Sequence, residues 1–175
     1  MNHKEFVESE KQGRLLVGID RTLAREFYVN VPISQIESET GESPYIEKII
    51  VVLALFAGPV SLLASVVFGF WFFGWWGLIS LVLFPIIYFS FSASSIRGDA
   101  KITWISLLLV VSVSIYFFDY LDIKNIAGLL TTFFFSLWSI RFLYYSSTLF
   151  LRSFIIRNEK AYKYFLPNLV LRFVE

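Results

Sequence analysis

The chain contains no cysteine, and its one histidine is His3. Without thiols there is no disulfide and no thiolate metal site. A single imidazole cannot supply the paired axial ligands of an intramembrane haem or a histidine-built zinc site. A Ser/His hydrolase would lack its base. Carboxylates are missing where an ion-coupled transporter keeps them: Asp119 and Asp122 fall at one end of the apolar segments, Asp99 and Glu47 at the other. The glycines of "GFWFFGWWG" have no lysine beside them to make a phosphate loop. No catalytic, cofactor or metal residue is therefore expected, and a non-enzyme is the leading expectation.

Charge is scarce as well. Asp, Glu, Lys and Arg make up 17 % of the chain, against about 25 % in soluble domains. From Ile49 to Ile96 there is no charged residue at all. That run is more than twice the length of one membrane span, which takes about 20 residues. Its middle reads "FGFWFFGWWG", Phe68 to Gly77, a patch that water would not tolerate. It suits the apex of a helical hairpin, with Trp71, Trp75 and Trp76 as interfacial anchors at the lipid headgroups. Two more apolar segments follow, around "DYLDIKN". The runs do not alternate as barrel strands do and are too long for buried strands.

The expected fold is therefore an all-α integral membrane protein. Four transmembrane helices form two hairpins over about 46–72, 75–95, 101–120 and 125–150. Residues 1–45 form an arm of short helices, and 151–175 an amphipathic tail. Lysine and arginine set the orientation. Lys4, Lys11, Arg14, Arg21, Arg25 and Lys48 lie in the N-terminal region, Arg97 and Lys101 in the loop between spans two and three, and Arg152, Arg157, Lys160, Lys163 and Arg172 in the tail. The opposite side holds Lys124 beside Asp119 and Asp122. Both termini are expected in the cytoplasm, in a bacterial-type inner (plasma) membrane. "MNHKEFVESEKQGR" lacks an early apolar core, so the first span is expected to act as an uncleaved insertion signal.

In the arm, Leu16, Ile19, Leu23 and Phe27 fall on one helical stripe, predicting an amphipathic helix over 14–28. Ser34 with Glu37 matches a capping box. Gly41 suits a helix end, and Ser43-Pro44 a helix start. In the tail, Phe154, Tyr162 and Phe165 are candidate contacts with a partner or the membrane surface. The last piece, "NLVLRFVE", is β-prone and needs a cover.

Two features lie inside the spans. Arg141 is 16 residues beyond Asn125, or about 24 Å along a helix. It either snorkels to the cytoplasmic headgroups beside Tyr144 and Tyr145 or lines a pore or substrate site. Gly58, Pro59 and Pro85 fall at similar depth in the first hairpin, as a pair of kinks, a hinge, or a packing adaptation.

The function expected from these features is a non-enzymatic accessory, anchoring or assembly subunit of a membrane complex. The alternatives are an oligomeric pore or small transporter subunit, and a lipid-modifying membrane enzyme using interfacial carboxylates. The expected partners are the lipid bilayer and other membrane subunits or copies of the chain, with no nucleic acid among them.

Overall fold

The computed structural model describes residues 2–97, 102–118 and 124–173. The chain is mostly helical. In order it forms α1 (His3–Lys11), β1 (Leu15–Ile19), α2 (Arg21–Asn30), α3 (Ile33–Thr40) and α4 (Tyr45–Phe73). A 3-10 turn (Gly74–Gly77) leads into α5 (Leu78–Arg97), followed by α6 (Ile102–Phe118), α7 (Lys124–Arg157) and α8 (Glu159–Phe165). A second 3-10 turn (Leu166–Asn168) then precedes β2 (Leu169–Phe173). These elements make two compact units. A terminal unit comprises Met1–Val52 with Tyr144–Glu175, and a central unit comprises Leu53–Leu143.

The terminal unit joins both chain ends. Strands β1 and β2 pair antiparallel, with Leu15 opposite Phe173 and Ile19 opposite Leu169. Asp20 caps α2 by accepting the Leu23 N–H at 2.9 Å, which ends the strand and starts the helix within one residue. Helix α2 buries Ala24, Phe27 and Tyr28. The Phe27 ring meets Phe165 edge-on at 4.9 Å. Phe6 of α1 is fully buried, 4.7 Å from the Tyr162 ring. The His3 Nε2–H donates to the Ile155 carbonyl at 3.2 Å, which ties the first turn of α1 to α7. Glu10 pairs with Arg152, and Arg157 with Glu42 at 3.2 Å. Asn158 works in both directions: its amide donates to Thr40 O at 3.1 Å, and its Oδ1 caps α8 at Ala161 N, 3.0 Å away.

In the central unit, α4 and α5 form a hairpin. Glycine makes the return possible. At Gly74 the backbone is left-handed, with φ +55°, a region that favours glycine. A Cβ on Gly77 would sit 2.2 Å from Gly69 O, and one on Gly58 would sit 2.8 Å from the Tyr88 hydroxyl. These two contacts, far apart in the hairpin, fix the antiparallel pairing of its arms. Phe84 of α5 stacks on Phe133 of α7 at 4.1 Å. Gly128 of α7 admits the Tyr116 ring of α6, which would lie 3.3 Å from an added Cβ.

Two stretches, Tyr45–Ile96 and Asn125–Arg157, are long and apolar enough to cross a membrane. The apolar helix Trp104–Phe117 is shorter. Gly41 ends α3 with φ 77° as expected, and α4 begins one residue after Pro44.

Several local expectations are corrected. The stretch 14–28 is a strand and then a helix, because Leu15–Ile19 finds a strand partner in Leu169–Phe173 and the Asp20 cap restarts the chain. The fold remains all-α in class as expected, with this one two-stranded sheet added to the helices. Ser34 and Glu37 form no capping box. Pro32 holds the N-cap position, so Ser34 is already inside α3. The last long helix runs seven residues beyond 150, to Arg157. Asp99, Lys101, Asp119, Asp122 and the limits 101 and 120 of the third span lie outside the described residues.

Candidate functional site

Arg141 is 9 % exposed. Its NH1 donates to the Ser95 carbonyl at 3.2 Å. Ser95 lies in the last turn of α5, where four carbonyls have no partner within the helix. The C-terminal end of a helix also carries partial negative charge. A guanidinium placed there donates to a carbonyl of the last turn and complements the dipole. The contact has the geometry of a cap on the α5 C-terminus.

Gly58, Pro59 and Pro85 lie inside the two hairpin helices. Both α4 and α5 continue through their prolines. Gly58 is where Tyr88 of α5 and the Ser136 backbone of α7 come closest. Trp71, Trp75 and Trp76 are exposed at 78 %, 81 % and 79 % around the hairpin apex.

Of the candidate partner contacts, Phe27, Phe154, Tyr162 and Phe165 are buried in the terminal unit. They are core residues, since the two chain ends cover one another. Leu23 and Ile19 are half-buried, and the Leu16 side chain lies outside what the structure describes. The β-prone end is covered by the chain's own β1.

Sequence reasoning missed two features. One is Tyr28, whose hydroxyl is buried and has no partner among the described residues. Burial, and then the Glu47 carboxylate, push its phenol well above the ordinary tyrosine range. Nothing local in "REFYVN" marks it. The other is a cavity of about 290 Å³ between α4, α6 and α7. It is lined by Phe68, Phe72, Tyr116, Asn125, Gly128, Thr131 and Thr132. Phe68 and Phe72, one turn apart, stack at 5.8 Å. Thr132 returns its hydroxyl to Leu129 O at 2.9 Å. Thr131 Oγ1 is buried with no hydrogen-bond partner among the described residues. The sequence signal was only two adjacent threonines in an apolar helix. Among the described residues, no group of three or more acidic or histidine side chains is placed to hold a metal.

No protein-family model, curated protein or solved structure matches this chain.

Proposed function

We propose that the chain is a four-span membrane protein with both termini in the cytoplasm, serving as a non-enzymatic anchoring or assembly subunit of a membrane complex. The pairing of β1 with β2 carries the topological part of this reading. Strands from the two chain ends hydrogen-bond to each other, so both ends lie on one side of the bilayer. The number of crossings between them must then be even. The Tyr45–Ile96 stretch turns back on itself and supplies two crossings, while α7 supplies one. An even total requires α6. Its 17 residues span about 25 Å at 1.5 Å each, near the lower limit for a membrane helix.

Lysine and arginine crowd the segments on the side of the termini, which supports a cytoplasmic placement. The exposed tryptophans at the apex suit the opposite headgroup layer. The anchoring role is supported by the division of the chain: both ends are committed to a folded terminal unit. Arg141 spends a donor on Ser95 O, which speaks against the pore alternative.

Topology is tested by single cysteines in intact cells. A cysteine at Gly74 reacts with a membrane-impermeant thiol reagent, and one at the exposed Ser38 reacts only after permeabilisation. The reverse pattern inverts the orientation, and equal labelling of both sites refutes the crossing by α4. Native mass spectrometry of the gently extracted chain tests the role. A defined heteromeric complex supports it, whereas a lone monomer or a closed ring of identical chains refutes it.

A further inference from the structure

We infer that the cavity between α4, α6 and α7 binds the ester end of a lipid acyl chain, with the Thr131 hydroxyl as its polar contact. The inference rests on the membrane reading above. Volume comes first. About 290 Å³ equals on the order of ten water volumes at roughly 30 Å³ each, room for part of an extended chain and not for a bulky head. The walls are aromatic and apolar, apart from Asn125 and the two threonines. Water needs two to four polar partners to settle in such a space, whereas an acyl chain does not.

The unpaired hydroxyl supplies the selectivity. Elsewhere in the central unit, Ser65, Ser80, Ser112, Ser136 and Ser139 return their hydroxyls to a carbonyl three or four residues back. Thr131 does not, although its oxygen is just as buried. A buried hydroxyl without a partner is costly and calls for an explanation. Threonine in a helix divides between two χ1 rotamers, and one such step exchanges hydroxyl and methyl. A donor that reaches the cavity by that step needs an acceptor without a charge, and the ester carbonyl of a membrane lipid is one. Asn125 lies six residues earlier on α7, about 9 Å along the axis, and is exposed. It marks the polar mouth through which the chain enters.

The experiment uses the full chain in nanodiscs containing a phosphatidylcholine with a diazirine on one acyl chain. Crosslinked peptides are mapped by mass spectrometry. Labelling is expected to concentrate on Phe68, Phe72, Gly128, Thr131 and Thr132, about fivefold above the exposed positions of Leu81–Ile87, namely Leu81, Val82, Leu83, Ile86 and Ile87. That factor corresponds to one net hydrogen bond. Thr131→Val keeps the shape, removes the hydroxyl, and is expected to bring the cavity down to the level of those positions. An ether-linked version of the same probe, lacking the carbonyl, is expected to label wild type as weakly. Even labelling of all lipid-facing segments overturns the inference while leaving the membrane reading intact. Undiminished cavity labelling in Thr131→Val, or with the ether probe, also overturns it. Absence of label from Leu81–Ile87 as well overturns the membrane reading and the inference with it.

Discussion

Gly77→Ala is the sharpest test of the hairpin. The added methyl would lie 2.2 Å from Gly69 O, 2.4 Å from Gly69 C and 2.6 Å from Phe70 N. Ordinary contact begins near 3.4 Å, so the two backbones must part by about 1 Å. No rotamer change helps, because all three opposing atoms are backbone. Parting them also disturbs Ser80, whose hydroxyl donates to Gly77 O at 2.6 Å. It would sit 2.5 Å from a Cβ on Gly69. Overpacking a tight interior usually costs about 1–3 kcal/mol, and rigid backbone on both sides puts this case at or above the upper end. Gly74→Ala is the internal control. Its φ is +55° but nothing lies within 4 Å of the added carbon, so only the left-handed strain of about 1–2 kcal/mol applies. Both variants are compared with wild type by titrating the purified chain in mixed micelles with dodecyl sulfate, following tryptophan fluorescence and circular dichroism. Gly77→Ala should unfold at clearly lower denaturant than Gly74→Ala. Equal midpoints would refute the close crossing at Gly69.

Further predictions follow from the same contacts. Arg141→Leu removes a donor from the α5 C-terminus and should cost about 1–3 kcal/mol in the same titration, with Arg141→Lys losing less; a silent Arg141→Leu would reject the cap. Phe6→Ala empties a fully buried position against Tyr162 and should cost about 3–5 kcal/mol, read as lost amide protection in α1 and α8 by hydrogen exchange; unchanged protection would mean that α1 is not docked. Tyr28→Phe deletes a buried, unpartnered hydroxyl and should leave the terminal unit as stable or more so. Because the folded state raises the Tyr28 pKa, its neutral form is favoured, so its contribution is intact at neutral pH and falls once the pH exceeds the unfolded value of about 10. The wild type should therefore lose stability faster than Tyr28→Phe above that pH, and parallel curves would contradict the burial.

The apolar hairpin was legible in the sequence because membrane-length helices are written in composition. An uncharged run with glycines at its centre has few other solutions, and Gly74 and Gly77 stand where the chain turns. Helix ends were partly legible: Gly41 needs a left-handed residue, but Ser34 was outcompeted by Pro32 as the start of α3. Asn158 before "EKAYKYF" carried an N-cap signal that the reading passed over. What one-dimensional pattern cannot hold is pairing at long range. Leu15–Ile19 has an apolar stripe that suits either a helix or a strand, and only Leu169–Phe173, at the far end of the chain, decides for the strand. The same pairing turns Phe27, Phe154, Tyr162 and Phe165 from presumed contact surface into core. Arg141 is likewise ambiguous along the chain. A charge among apolar residues fits a pore wall, a headgroup anchor or a helix cap equally well, and only the tertiary structure brings its NH1 to the Ser95 carbonyl, 46 residues away in sequence. Composition and periodicity determined which long apolar segments are helical, since that depends on neighbours within a few residues. Which surfaces meet was left to the tertiary structure, because a buried side chain takes its meaning from the atoms that surround it.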